Sequence, residues 1–251
     1  MTAPTLHAAD STTVSLNTGA VGEITCDRPG NVSEGDLLVA FLKTSSARDV
    51  TSWTWSGWTL REVIDATTSS FRQGAVWTRV AGPSEPASYT FTAVSDGSDE
   101  LSRVVMGIVR ITGHDPSEPV HVSAVDSSTS DLIAPSVTTT VDDCLILRTW
   151  GSSRGVGEIF PPSGVDTGFS VNQGTSTGRS SALLGFHDQP SAGAAGTSTA
   201  TSGSSPIPFL ATLAIAPSDD GDPDPTEGAL RGPNGGLLRG PNGGLLRLAG
   251  A

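Results

Sequence analysis

Apolar residues along this chain recur at the two-residue period of β-strands. In "SYTFTAV", residues 88–94, Tyr89 and Phe91 fall on one face while Ser88 and Thr90 fall on the other. Other runs, such as "DLLVAFLK" and "CLILRTW", are almost wholly apolar, as expected of strands buried on both faces. Helical periodicity is nearly absent. The pattern predicts strands near 36–43, 74–81, 88–94, 103–111, 143–150 and 208–216, separated by turn-forming residues.

These strand patterns also repeat at long range. "GDLLVAFLK" is matched by "DDCLILRTW", and "SGWTLREV" is matched by "SGVDTGFS", each about 107 residues later. Two further pairs show nearly the same offset, although residue identity is low. The repeat predicts two similar halves, 20–124 and 125–217, within a body that spans 1–217. The four pairs begin at Gly35 and Asp142, Ser56 and Ser163, Phe71 and Gly178, and Met106 and Thr212.

The predicted fold class is all-β, a jelly-roll-like β-sandwich built from the two halves, with an extended Gly-rich C-terminal tail. We favour one domain in which the halves face each other across one core. Each half supplies only four or five convincing strands, and no linker divides them. The alternative is two separate sandwiches of about 100 residues each. In either case helix should make up less than about a fifth of the body, against about a third in an average protein.

Composition and charge narrow the function classes. The chain has 251 residues, 36% of them hydrophobic, which is enough to form a core. Its 14 basic and 26 acidic side chains give a net charge of -12, which argues against binding nucleic acid or anionic membranes. The chain shows no signal peptide and no run of membrane-spanning length, so we expect synthesis in a cytoplasm without Sec export. Two cysteines, Cys26 and Cys144, are interpreted as buried thiols, with a disulfide as the alternative.

The segment 218–228 is predicted to be an extended spacer because aspartate and proline dominate it. Asp220, Asp222 and Asp224 have the alternate spacing of a calcium loop, which is the alternative interpretation. Pro223 and Pro225 oppose that geometry. We therefore predict no metal site and no cofactor.

The tail, 229–251, contains "LRGPNGGL" twice in succession, at 230–237 and 238–245. Each "GPNG" is a strong turn signal, and the residues between the turns suit very short strands that are unstable alone. The tail is either a disordered low-complexity end or a segment that docks on a partner or on symmetry mates. Three arginines follow the last acidic residue, Glu227, and give the tail a positive charge on an acidic body. The candidate docking residues are Leu230, Arg231, Leu237, Leu238, Arg239, Leu245, Leu246 and Arg247.

Catalytic motifs are weak. "GSSRG" places Ser153 in a G-x-S-x-G pattern, but the prolines that follow exclude the helix which that motif requires. The four histidines lack zinc-site spacing and are interpreted as turn and surface residues. We therefore predict a non-enzymatic protein; a glycan hydrolase or an esterase would need a site that the sequence does not display.

Three tryptophans, Trp53, Trp55 and Trp58, fall within "WTWSGWTL". Aromatic faces suit pyranose rings, so the three side chains are candidate ligand-binding residues for a glycan. The alternative is that they pack in the core and its bordering loop.

The order "GDLLVAFL", "GWTL", "AVWTRVAGPSEPASYTFT" and "VMGIVRITG" resembles β-sandwich virion proteins of tailed bacteriophages that infect high-GC Gram-positive hosts. The resemblance covers about 5–217 and rests on strands and turns; the repeat tail departs from it. It implies a structural or adhesive role in the virion, often as a trimer, without catalytic residues. We expect a minor tail or adsorption protein anchored to other virion proteins through its tail. The alternatives are a capsid decoration or head-fibre protein and a carbohydrate-binding module for host cell-surface glycan.

Overall fold

The computed structural model confirms an all-β protein. Every described strand pair is antiparallel. Within the described part of the chain, the only helical element is a single 3-10 turn at Ala8–Asp10, and no helix is long and apolar enough to cross a membrane. The structure describes residues 2–16, 23–45, 50–65, 73–92, 94–95, 103–127, 130–153, 156–173 and 180–218.

The first half forms a jelly roll. Its main sheet, here called the first sheet, has the order β2–β10–β4–β7–β6. The short strand β1 pairs with β10 beyond the residues that pair with β2. The pairs β3–β8 and β5–β9 belong to the opposing outer layer. This connectivity is jelly-roll-like when β8 and β9 are taken as one strand. It differs from a regular eight-stranded jelly roll in that β6 pairs with β7 in the first sheet and does not join the opposing layer. The strands are β1 (Thr5–Leu6), β2 (Thr12–Leu16), β3 (Glu23–Asp27), β4 (Leu37–Thr44), β5 (Val50–Ser52), β6 (Thr59–Asp65), β7 (Gln73–Val80), β8 (Ser88–Thr92), β9 (Val94–Ser95) and β10 (Val104–Thr112).

The second half repeats this connectivity. The main sheet of this half, here called the second sheet, has the order β11–β21–β14–β17–β16. Its outer layer contains the pairs β12–β19, β13–β18 and β15–β20. The strands are β11 (Val120–Asp126), β12 (Ile133–Ala134), β13 (Thr138–Thr139), β14 (Cys144–Ser152), β15 (Ile159–Phe160), β16 (Asp166–Asn172), β17 (Ser181–Gln189), β18 (Gly193–Ala194), β19 (Ser198–Thr199), β20 (Thr201–Ser202) and β21 (Pro208–Ile215).

Matching irregularities support the equivalence of the two halves. The register of β6 shifts between Leu60 and Glu62, where it pairs with β7. The register of β16 shifts at the corresponding place, between Thr167 and Phe169, where it pairs with β17. Each edge strand therefore contains one extra residue, which increases its twist and makes it a poorer template for pairing with another chain.

The first and second sheets pack face to face and bury a shared core. Edge strand β6 lies against β11, and β2 lies against β16, so the halves are related by an approximate twofold axis. Each half also has its own core between its sheet and its outer layer. The structure thus combines the two arrangements considered from the sequence: a core shared between the two halves and a separate core within each half. The shared core includes Leu37, Val39, Phe41, Val105, Val109, Leu145, Leu147, Phe169, Leu184 and Leu213.

The six strands predicted from the apolar pattern are all present. Cys26 and Cys144 are buried and form no disulfide, which confirms their interpretation as buried thiols. Burial raises the pKa of the Cys26 thiol to about 11. The spacer beyond Ser218 and the tail, 229–251, lie outside the described residues, and with them all eight candidate docking residues.

The two ends of the described chain meet at one pole of the body. The Thr2 amide donates to the Ser218 carbonyl at 3.1 Å, and the Ser218 amide donates to the Gly113 carbonyl at 2.8 Å. Gly113 belongs to the connector between the halves and has a φ of 73°. A Cβ there would come within 2.7 Å of the Ala3 carbonyl oxygen. The pole therefore ties the first residues, the connector and the last described residues together.

Candidate functional site

The tryptophan-rich segment lies between β5 and β6 and is shaped by a tight turn. The Trp58 amide donates to the Trp55 carbonyl at 3.0 Å, and Gly57 has a φ of 76°, which favours glycine at this position. The turn reverses the chain direction and stacks the indole rings of Trp55 and Trp58. Their centroids are 4.4 Å apart and their planes differ by 8°. Trp55 and Trp58 thus contact each other face to face.

Trp53 has a different environment. Its ring is stacked with Phe91 at a centroid distance of 6.0 Å, and its backbone carbonyl accepts a hydrogen bond from the Trp77 indole at 2.9 Å. Trp77 is fully buried on β7. Trp53 therefore belongs to the aromatic core cluster of the first jelly roll, which also includes Trp55 and Trp58. Of the three candidate tryptophans, Trp53 is the one that does not line the depression described below.

Trp55 and Trp58 are also largely buried, with exposed fractions of 6% and 8%. The Trp55 indole donates to the Thr90 carbonyl on β8 at 2.8 Å, and the Tyr89 ring meets Trp58 edge-on at 5.2 Å. These contacts hold the rings in fixed orientations. The two tryptophans consequently form one side of a depression and do not form an open, flat platform.

That depression, here called the groove, has a volume of about 580 Å³. It runs between the Trp55–Trp58 turn and β8 on the outer layer of the first jelly roll. Its volume lies within the usual range for small-molecule sites. Its walls combine aromatic rings with hydroxyl groups and contain one charged side chain, Arg79. The groove is lined by Thr54, Trp55, Ser56, Trp58, Arg79, Pro86, Ser88, Tyr89, Thr90 and Thr92.

An ion-pair network supports the groove from beneath. Arg79 Nε donates to both carboxylate oxygens of Glu85 at 3.0 and 3.1 Å, and its Nη2 donates to one of them at 3.0 Å. The Tyr89 hydroxyl and the Gly82 amide donate to the same carboxylate at 2.9 and 2.7 Å. Arg79 Nη1 donates to the Gly57 carbonyl at 2.9 Å. The network therefore connects β7, the turn after β7, β8 and the tryptophan turn.

The electrostatics of this network follow from its geometry. Burial alone would raise the pKa of Glu85, but hydrogen bonds from Arg79, Gly82 and Tyr89 outweigh it and lower that pKa. Burial, together with the Glu85 carboxylate, raises the pKa of Tyr89. Glu85 is therefore ionised and Tyr89 neutral near pH 7, so the Tyr89 hydroxyl remains a donor.

Sequence reasoning did not identify Arg79, Glu85 or Tyr89 as parts of a site. The alternation in "SYTFTAV" placed Tyr89 on the buried face, and "GPSEP" indicated only a turn. The pairing of β7 with β6 and the turn after β7 together bring Arg79 under the tryptophan turn. Only that tertiary arrangement reveals the groove.

The remaining candidate residues lie elsewhere. Ser153 is fully buried at the end of β14, and its amide donates to the Ile207 carbonyl at 3.1 Å. The interpretation of the histidines as turn and surface residues is wrong for His114, which lies in the connector but is only 5% exposed. Among the described residues, no three His, Cys, Asp or Glu side chains are placed to share a metal ion.

A second, smaller depression of about 410 Å³ lies on the outer layer of the second jelly roll, between β12 and β19–β20. Its walls are mainly Ser, Thr and aliphatic residues, with one acidic residue, Asp131, and no aromatic ring. It does not reproduce the chemistry of the groove, so the outer surfaces of the two halves differ.

Comparisons of the chain with protein families, with curated proteins and with solved structures found no match.

Proposed function

We propose that this chain is a non-enzymatic structural protein of a bacteriophage virion, most specifically a minor tail or adsorption protein. The observation that supports the proposal best is the pole where Thr2 pairs with Ser218. The segment 219–251 starts at this pole, so a body anchored through that segment presents its remaining surface outward. The duplicated jelly roll suits this role because the shared core makes the two halves one unit.

In this proposal the repeat tail, 229–251, docks on other virion proteins or on symmetry mates. Its arginines complement an acidic surface, and the chain's own net charge of -12 provides one on a neighbouring copy. A homotrimer is the favoured assembly. A capsid decoration or head-fibre protein would have the same architecture at a different position in the particle.

The test is to locate the protein in particles and to remove the tail. Antibodies raised against residues 1–218 should label the tail tip or tail shaft of purified phage in immunogold electron microscopy. Labelling of the capsid would favour the decoration or head-fibre alternative, and no labelling would overturn the proposal.

Deletion of 229–251 in the phage genome should yield particles that lack the protein, while the truncated body is still found folded in the lysate. A second variant keeps the tail length but replaces the candidate docking residues Leu237, Leu238, Leu245 and Leu246 with serine, and it should also be missing from the particles. Normal incorporation of both variants would exclude the tail as the anchor.

A carbohydrate-binding role is the second candidate, and the groove favours it. Rings from Trp55, Trp58 and Tyr89 lie beside hydroxyl groups in a depression of suitable volume. This role is compatible with an adsorption protein. Binding of purified protein to host cell walls, lost after enzymatic removal of wall polysaccharide, would test it.

A further inference from the structure

We propose that the groove binds a segment of an uncharged polysaccharide. This inference rests on the carbohydrate-binding role proposed above and specifies the chemical class of its ligand. It concerns the residues that line the groove and excludes Trp53, which does not line it.

The wall chemistry of the groove matches a sugar chain. A pyranose has apolar C–H faces and hydroxyl groups around its edge, so its site needs aromatic surface and small hydrogen-bonding groups side by side. The groove provides the exposed parts of Trp58 and Tyr89, 8% and 5% of these residues, as aromatic surface. Thr54, Ser56 and Thr92 have exposed side chains along the same depression and offer hydroxyl groups that both donate and accept.

The charge balance of the groove favours a neutral ligand over an acidic one. Arg79 is the only charged residue among those lining the groove, and Glu85 binds its guanidinium through three hydrogen bonds of 3.0–3.1 Å. The Glu85 side chain is only 2% exposed, whereas the Arg79 side chain is 24% exposed, so the carboxylate is shielded from solvent and part of Arg79 faces the groove. Because the Glu85 carboxylate already neutralises this guanidinium, an acidic sugar would gain little from Arg79 beyond what a neutral sugar gains from a hydrogen bond. The groove is therefore electrically balanced without a ligand.

The groove is also preorganised. Arg79 fixes the tryptophan turn through the Gly57 carbonyl, and the Trp55 indole fixes the same turn to Thr90 on β8. Both walls are thus joined to the first jelly roll by hydrogen bonds. Binding would order few additional side chains, which reduces the entropic cost of association.

The experiment uses the purified full-length chain and affinity gel electrophoresis, confirmed by isothermal titration calorimetry. The neutral probes are the polysaccharides dextran, mannan, galactan and arabinan, together with oligosaccharides of cellulose and of chitin. The acidic probes are polygalacturonate and hyaluronate. We expect at least one neutral probe to bind and neither acidic probe to bind more tightly.

Substitutions Ser56→Tyr and Thr92→Tyr fill the groove from its two walls and should each weaken binding by about tenfold or more. The matched control, Thr138→Tyr, changes an exposed threonine on the second jelly roll and should leave binding unchanged.

Three results would overturn the inference: no neutral probe binds, an acidic probe binds more tightly than every neutral one, or both groove variants keep wild-type affinity. Circular dichroism and thermal melting establish that each variant is folded. Particle incorporation is measured separately, because the groove variants should enter virions normally. Failure of sugar binding therefore does not contradict the virion proposal, and failure of incorporation does not contradict the sugar-binding inference.

Discussion

The ring of Phe169 on β16 packs against Gly107 on β10 and joins the two jelly rolls across their shared core. A Cβ at position 107 would stand 2.6 Å from the carbon atoms of that ring. Phe169 belongs to the shared core, so it has little room to move aside. Glycine at 107 is therefore a condition for close approach of the two sheets.

The first prediction follows from this contact. Gly107→Ala should lower the free energy of unfolding by about 1–3 kcal/mol, because overpacking a tight core displaces side chains or backbone. Urea denaturation measures the loss. Gly82→Ala is the matched control, since a Cβ there meets nothing closer than 3.7 Å and φ is not in the positive range. Equal stability of the two variants would show that the interface adjusts freely.

The second prediction concerns Trp53. Replacing it with alanine should cost about 3–5 kcal/mol, because the ring packs against Phe91 and Trp77 in the core. Thr54→Ala, next to it but exposed, should cost less than about 0.5 kcal/mol. A stable Trp53→Ala protein that had lost sugar binding would contradict the position of Trp53 described above.

Much of the fold could be predicted from the sequence, because strands buried on both faces leave apolar runs. β6 and β16 were harder to recognise as strands. Each contains a bulge, at Arg61 and Gly168 respectively, that interrupts the alternation. The repeat was visible, but its offset of 107 matches Leu38 with Leu145 and places one on each face. Because a one-residue slip reverses every side chain, the matched strands β4 and β14 need an even offset, and 108 pairs Leu37 with Leu145 in the shared core.

The groove could be predicted only in part. The tryptophan cluster was conspicuous in the sequence, yet three aromatic residues in six positions suit a core and a binding surface equally well. The turn at Gly57 stacks Trp55 on Trp58, and of the three tryptophans these two line the groove. The contribution of Arg79 depends on strand pairing that no local pattern encodes.

The third prediction concerns acid stability through Glu85. Because the folded state lowers the pKa of this carboxyl below its unfolded value of about 4.3, its contribution is present above that pH. The contribution disappears as the pH falls through the folded-state pKa. Glu85→Gln should lower the free energy of unfolding at pH 7 by about 1–3 kcal/mol, because a charged acceptor is lost from Arg79, Tyr89 and Gly82.

Urea denaturation of wild type and Glu85→Gln at pH 7, 5, 4 and 3 tests this prediction. The difference between the two proteins should narrow below about pH 4. Ser84→Ala, an exposed neighbour, serves as the control and should follow the wild type at every pH. A difference that stays constant down to pH 3 would show that Glu85 does not act through its charge.

The fourth prediction uses Lys43, the single lysine of the chain. Its side chain is fully buried, and its ammonium group donates to the Thr44 carbonyl and the Ser45 hydroxyl, each at 2.7 Å. Amine-reactive reagents such as acetic anhydride should therefore leave Lys43 unmodified in the native protein. Peptide mass spectrometry should detect modified Lys43 only after unfolding in urea. Rapid labelling of Lys43 in native buffer would show that this end of the shared core opens readily.

The last prediction concerns His114, whose ring nitrogens are buried without a hydrogen-bond partner. Burial lowers the pKa of this imidazole, and the carboxylates of Asp36 and Asp115 only partly oppose that effect. The folded state therefore favours neutral His114, while the unfolded chain takes up a proton near pH 6.5. Stability contributed by the neutral ring should be present above that pH and be lost as the pH falls through the folded-state pKa.

The variant His114→Gln removes this titration and keeps a polar side chain. From pH 7.5 to pH 5, wild type should lose more unfolding free energy than the variant, as measured by urea denaturation at half-unit intervals. His187, whose pKa is also lowered by burial, is present in both proteins and cancels in the difference. Since His114 pairs through its backbone with Pro217 beside the pole, amide hydrogen exchange at 113–119 and 214–218 should increase in wild type at pH 5 and not in the variant. Identical pH profiles for the two proteins would exclude His114 as the source of acid sensitivity at the pole.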